Sequence, residues 1–183
     1  MTQDIATISA NYIKRFNVNQ PYFRDLPSED LSLIIVIPSY KEPNISFTLA
    51  SLCQCIAPQG KVELLVVVNS PENSLQEVVE VNRNTFKQLN TWKNQLAENK
   101  IRLKIIAEEK LPKKFAGAGL ARKIGMDEAL QRWTLAKKDG PIICLDADCT
   151  VSKDYLIVAE KAFSDPLNQL AHYQFKHLFL KEK

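Results

Sequence analysis

The stretch LSLIIVIPSYKEP, Leu31 to Pro43, decides how the rest of the chain is read. Its first part, Leu31 to Pro38, is a continuous apolar run rich in β-branched residues and stopped by proline. A strand with one wet face alternates apolar and polar residues, whereas a run without alternation suits a strand buried on both faces, as in a parallel sheet. Downstream, Ile45, Leu49, Leu52, Cys53 and Ile56 fall on one helical stripe, ended by Pro58 and Gly60. KVELLVVVN, Lys61 to Asn69, repeats the buried-strand pattern. Ser74 and Glu77 have the spacing of a capping box, opening a long helix whose Leu75, Val78, Val79, Phe86, Leu89, Trp92 and Leu96 share a face.

The alternation continues. Ile101 to Ala107 is a third strand, followed by the polar stretch EEKLPKKFAGAG. A helix from Ala118 to Ala136 turns Ala121, Ile124, Leu130 and Trp133 inward, and Gly140-Pro141 precedes a fourth strand, Ile142 to Leu145. A short helix over 153–163 presents Tyr155, Val158, Ala159 and Ala162, and QLAHYQFKHLF near the end alternates as a strand does. Residues 1–30 show no clear periodicity and read as an extension with one helical turn near Ile8 to Phe16, leaving 31–183 as the main domain. Strands alternating with helices give an α/β fold with a mainly parallel sheet and helices on both faces.

Bulk properties narrow the function. A chain of 183 residues, 45% apolar and with a net charge of +3, builds one core and carries neither a basic arm for nucleic acid nor a disordered tract. There is no apolar run long enough to span a bilayer, and the N-terminus lacks the pattern of a signal peptide. The chain reads as cytosolic, or peripheral to the inner face of the membrane. The four cysteines, 53, 55, 144 and 149, read as free thiols. Cys53 and Cys55 are a poor metal pair, because helix positions two apart diverge. His172 and His177 would face opposite sides of a strand, so at most one could join a metal site, and packing or surface roles suit them better.

In parallel α/β sheets ligands bind beyond the carboxyl ends of the strands. The tips here carry Ser39-Tyr40-Lys41-Glu42, Asn69-Ser70, the Lys/Gly-rich loop, and Asp146-Ala147-Asp148. Two carboxylates one residue apart suit a hard divalent ion, Mg²⁺ or Mn²⁺, which completes its shell with water and phosphate oxygens. The same tripeptide also serves as a turn or a helix cap. Gly117, Gly119 and the following helix N-terminus, with Arg122 one turn inside and Lys113 and Lys114 before it, offer a seat for phosphate, or simply a lysine-rich turn. The glycines do not make a dinucleotide fingerprint, since Arg122 stands at the third glycine position. Tyr40 is able to stack on a base and Glu42 to accept from a base or ribose; the bland alternative is a loop framed by Pro38 and Pro43.

In order, VIPSYKEP (36–43), VVVNSP (66–71), GLARKIGMDEAL (119–130) and ICLDADCTVSKDYL (143–156) resemble the family 2 glycosyltransferases of the glycosyltransferase-A fold, over roughly residues 31–165. The resemblance implies the Rossmann-like nucleotide-binding half of such an enzyme. It implies a nucleotide-diphosphate sugar, UDP-linked in preference to GDP-linked, and a glycan or lipid-linked acceptor. The donor would lie against Pro38, Ser39, Tyr40, Glu42, Asn69, Gly119, Arg122, Asp146 and Ala147, with Asp148 and Asp146 holding Mn²⁺ or Mg²⁺. Asn69 replaces the aspartate usual at the base-reading position, so its amide, which both donates and accepts, leaves base preference open. Inverting transfer needs a general base from a later segment, and none of Asp154, Glu160, Asp165 or Glu182 lies in a motif of that kind. The acceptor half is therefore expected to be missing. Two rivals stand beside this reading: a module that binds nucleotide or a partner without chemistry, and a haloacid-dehalogenase-like phosphatase, whose first motif Asp146-x-Asp148-x-Thr150 resembles.

Overall fold

The computed structural model describes residues 4–16, 18–114, 116–165 and 167–174. The elements in chain order are α1 (Ile5–Phe16), β1 (Leu31–Ser39), α2 (Ile45–Cys53), β2 (Lys61–Pro71), α3 (Gln76–Glu98), β3 (Ile101–Leu111), α4 (Ala118–Ala136), β4 (Ile142–Cys144) and α5 (Tyr155–Ala162). The strands form one four-stranded sheet of order β3-β2-β1-β4 in which every pairing is parallel. This is a Rossmann-like α/β fold. The expected architecture is therefore present.

The apolar runs account for the sheet. Successive side chains of a strand point to opposite faces. Leu33, Ile35 and Ile37 of β1, with Leu64 and Val66 of β2, pack with Ile45, Leu49 and Leu52 of α2, Leu89 and Leu96 of α3, and Tyr155 and Leu156 of α5. Ile34, Val36, Leu65 and Val67 point to the opposite face and meet Ala121, Ala129 and Trp133 of α4. Helices thus cover both faces, and α4 alone of the connecting helices crosses to the second one. Gly125 lets it come close: a Cβ there would lie 2.3 Å from Val36 Cγ1.

Several elements differ from expectation. The head of α3 has no capping box, because Leu75 occupies the cap position and Ser74 Oγ turns back to donate to the Pro71 carbonyl at 2.6 Å. Leu75 itself is exposed, as is Ile56, which lies past the end of α2 and is tied by its N–H to the Lys153 carbonyl. β3 runs on to Leu111, since the tip of β2 keeps pairing with it through a register shift. α1 is a full helix rather than one turn: Asp4 Oδ1 accepts the N–H groups of Ala6 and Thr7, and Tyr12 donates to Asp127 of α4. Residues 169–174 form no strand, with His172 exposed, and the rest of that expected strand, including His177, lies outside the described residues. Among the described residues no helix is long and apolar enough to cross a membrane. The four cysteines are free thiols.

Candidate functional site

The site begins where β1 and β4 part. Ile34 N–H donates to the Pro141 carbonyl and Leu145 N–H to the Val36 carbonyl, so even-numbered residues of β1 bond toward β4. Pro38 is next in that series and has no N–H to give. The ladder stops at the pair Val36 and Cys144, and beyond it the chain opens into Asp146-Ala147-Asp148. The helix after β1 covers one face and the helix before β4 covers the other. This gap is therefore the switch point of the sheet, where open α/β folds place ligands.

Each wall of the gap is held from behind. Thr48 of α2 donates its hydroxyl to the Ala147 carbonyl at 2.7 Å, Ser51 Oγ accepts the N–H of Val151 at 3.1 Å, and Cys149 N–H closes a turn on the Asp146 carbonyl. Ala147 is buried, whereas Asp146 and Asp148 point outward and are exposed. Across the gap, Gly117 caps α4 with φ of 143°, a conformation that favours glycine, and Gly119 sits in the first turn with open space around it. One turn inside, Arg122 Nη2 donates to Asp146 Oδ1 at 2.6 Å. A guanidinium at a helix N-terminus thus meets the first carboxylate of the Asp146-Ala147-Asp148 turn.

Tyr40 and Glu42 lie on the loop after β1. Tyr40 is exposed, in keeping with a stacking surface. Glu42 is partly engaged, for its Oε1 accepts the Asn44 N–H at 2.8 Å and turns the loop into α2. Lys41 between them is left-handed, with φ of 49°, and forms an ion pair with Glu77 at 2.9 Å. Ser39 and Asn69, at the tips of neighbouring strands, are fully buried. Asn69 Nδ2 donates to the Ser39 carbonyl at 3.0 Å, while Asn69 Oδ1 and Ser39 Oγ have no hydrogen-bond partner.

The structure adds residues that the sequence reading missed. Asn82, Thr85 and Gln88 of α3 reach over the β1 loop: Asn82 Oδ1 accepts the Lys41 N–H at 3.1 Å, Thr85 Oγ1 donates to the Glu42 carbonyl at 2.9 Å, and Gln88 Nε2 donates to the Pro43 carbonyl at 3.0 Å. The signal was present. Asn82 and Thr85 fall on the buried stripe with Val78 and Leu89, where apolar residues are expected.

Residues of the first thirty reach the same edge of the sheet. Glu128 of α4 is buried and accepts the N–H groups of Tyr22 and Phe23; burial nonetheless pushes its carboxyl up. Tyr22 donates its hydroxyl to Glu108, and burial together with that carboxylate pushes the phenol up. Glu108 pairs in register with Asn69.

Among the described residues no three His, Cys, Asp or Glu side chains gather into a cage for a metal. Asp146 and Asp148 are the available donors, two carboxylates on one tight turn. That set fits a hard cation arriving with a diphosphate, which needs only one or two protein carboxylates. It does not fit a structural zinc site. Burial pushes the flanking Cys144 and Cys149 thiols up, and the thiol of Cys149 lies 3.7 Å from Asp148 Oδ1. Among the described residues, Asp154, Glu160 and Asp165 are used elsewhere. Glu160 accepts the N–H groups of Gln59 and Gly60, both at 2.8 Å, at the opposite edge of the sheet, and Asp154 and Asp165 serve local turns.

No protein-family description matches the chain, and no curated protein sequence matches it significantly. Among solved structures, S. aureus TarS 1–349 is similar at 20% identity with a TM-score of 0.47, over 73% of this chain and 32% of that one. The same protein in complex with UDP gives 18% identity and a TM-score of 0.49 over the same shares. S. aureus TarS gives 19% identity and a TM-score of 0.45, over 73% of this chain and 20% of that one. The chain thus spans about a third or less of the length of the structures it matches, and the likeness is remote.

Proposed function

We propose that the chain binds a nucleotide-diphosphate sugar across the tips of its parallel sheet and forms the donor-binding part of a glycosyltransferase. The observation that carries this reading is the Arg122–Asp146 pair, with Asp148 exposed on the same turn, in the gap where β1 and β4 part. Arg122 has the planar fork that suits phosphate oxygens, and the first turn of α4 adds free backbone N–H groups directed at an anion. Asp146 and Asp148 are the residues that would hold Mn²⁺ or Mg²⁺. Such an ion, when bound, neutralises diphosphate charge and stabilises the departing phosphate. In the free protein Arg122 compensates Asp146, and an arriving phosphate exchanges one anionic partner of Arg122 for another.

On the base side, Tyr40 offers an exposed ring for stacking. The Asn69 amide commits one of its two N–H groups to the Ser39 carbonyl, and its Oδ1 is an acceptor without a partner. That asymmetry bears on the question left open by the substitution of Asn for Asp. An unpartnered acceptor suits a ring N–H, as in uracil or guanine. UDP-sugars therefore remain preferred, with GDP-sugars second.

A second reading, nucleotide binding without transfer by these residues alone, is favoured by one observation. The carboxylates of Asp154, Glu160 and Asp165 are engaged away from the gap. Sugar transfer, inversion, and a glycan or lipid-linked acceptor belong to the proposal for the whole protein. Isothermal calorimetry with UDP and GDP, with and without Mn²⁺, tests the binding. Metal-dependent binding that disappears in Asp148→Ala is expected; metal-independent binding, or equal binding by Asp148→Ala, removes the metal from the reading.

A further inference from the structure

We propose that Asn82 is a positioning residue, which holds the Tyr40 to Glu42 loop and the tip of β2 in register so that both present their groups to one base. This rests on the reading that a nucleotide base lies against those two segments.

Asn82 belongs to α3 and reaches neither the gap nor the surface; it is fully buried. Its Oδ1 accepts the backbone N–H of Lys41 at 3.1 Å, and its Nδ2 donates to the backbone carbonyl of Asn69 at 3.0 Å. One amide therefore spans two segments that come from different strands. Flipping it would set its donor against a donor and its acceptor against an acceptor, so its orientation is determined by these contacts. Asn69 in turn donates its side-chain amide to the Ser39 carbonyl. The bonds from Lys41 through Asn82 and Asn69 to Ser39 close a ring around the two strand tips.

Two features point to positioning rather than to packing alone. Lys41 adopts φ of 49°, which residues other than glycine rarely take, and the bond to its N–H holds the loop in that form. The ring also orients Asn69, whose buried Oδ1 has no hydrogen-bond partner. An apolar residue on the Val78 and Leu89 stripe would fill the space at position 82 but would join neither segment. Thr85 and Gln88 brace the same loop farther on through the Glu42 and Pro43 carbonyls, and neither bonds to the tip of β2. When the competent arrangement is only partly populated, apparent affinity falls by that fraction.

The test compares two ligands by calorimetry on the full chain, well below each variant's unfolding temperature. UDP with Mn²⁺ engages base and phosphate groups, whereas pyrophosphate with Mn²⁺ engages only the Arg122 side. In Asn82→Ala and Asn82→Asp, UDP affinity is expected to fall on the order of tenfold, the scale of one or two lost hydrogen bonds, while pyrophosphate affinity stays at the wild-type value. Asn82→Asp keeps the shape and the acceptor for Lys41 but has no donor for the Asn69 carbonyl. It carries the test where Asn82→Ala does not fold. Faster hydrogen exchange at the Lys41 amide of Asn82→Ala supports the same role. Unchanged UDP affinity, or parallel loss for UDP and pyrophosphate, overturns it. A wild type that binds pyrophosphate but not UDP overturns the nucleotide reading and this proposal together. A wild type that binds UDP beside variants that bind it equally well overturns this proposal alone.

Discussion

Arg122 and Arg132 both leave α4 to meet a carboxylate, Asp146 on the segment after β4 and Glu63 on β2, one near each end of the helix. The Arg132 side chain is 0% exposed and that of its partner Glu63 is 2% exposed; two parallel bonds of 2.7 and 2.6 Å join them. Arg132 also donates to the Asp25 carbonyl, and Lys104 and Arg102 close on the Asp25 carboxylate at 2.8 and 3.0 Å. The Arg122 side chain is 35% exposed and that of Asp146 is 59% exposed, with one bond of 2.6 Å. The chemistry is the same and the surroundings differ. A buried pair is bound to its partner because separation strands a charge in a medium that cannot solvate it, whereas an exposed pair is screened by water and free to change partners. The first is architecture, and the second suits a ligand.

The largest expected effect breaks the buried pair. Arg132→Met leaves Glu63 uncompensated and should cost about 3–5 kcal/mol in urea unfolding. Arg132→Met with Glu63→Leu should recover most of that loss. A single substitution as mild as a surface change would abolish the contrast. Midway along α4, Gly125→Ala should cost about 1–3 kcal/mol, because the added methyl meets the β-branched Val36 inside a packed layer.

Arg122→Ala and Asp146→Ala sharpen the comparison from the other side. Each should change stability by less than roughly 0.5 kcal/mol. Each should also weaken calorimetric binding of UDP with Mn²⁺ by about tenfold or more. Large destabilisation with unchanged binding would reverse the assignment of the two pairs.

The smallest effect is in acid. The hydrogen bond from Lys104, opposed by burial and aided by the charges of Lys104, Arg132 and Arg102, holds the Asp25 carboxyl below its ordinary value of 3.8. The unfolded chain then binds that proton more readily than the folded one. The stabilisation is present above the ordinary value and is lost as pH falls through the folded value. Asp25→Asn should therefore have a shallower loss of urea midpoint below about pH 4 than wild type, for an aspartate of ordinary reference value. Glu128 has the opposite sign: burial raises its carboxyl, so its contribution declines as pH rises out of the acid range.

Much of the fold was legible because its signals are local. Apolar runs without alternation marked β1 and β2, and Gly140-Pro141 marked the entry to β4. Misreadings occurred where a neighbour overruled a local pattern. Ser74 and Glu77 have capping spacing, but Ser74 is drawn to the Pro71 carbonyl and Glu77 to Lys41. α1 reads as a single turn until its contact with α4 is known. The inward face of α4 was expected to be apolar; it also buries Asp127, Glu128 and Arg132, because residues 12–25 bring partners to them. At the site, Asp146, Asp148, Arg122 and Tyr40 were accessible to reading, since a charged or aromatic residue at a strand tip, or an arginine in the first turns of a helix after glycines, is conspicuous. Asn82 was not, because an asparagine in a helix says nothing about which backbone it serves.

By itself the sequence determined a parallel sheet buried on both faces, the polar groups at its tips, and the proline that stops the apolar run of β1. These follow from side-chain polarity along short stretches and from the missing N–H of proline. Only the tertiary structure decided that Arg122 meets Asp146 in the open while Arg132 meets Glu63 in the core, and that Asn82 ties Lys41 to Asn69. Those outcomes depend on distance and burial among residues remote in the chain, and burial sets both the strength of a charge pair and the cost of leaving a polar group unpaired.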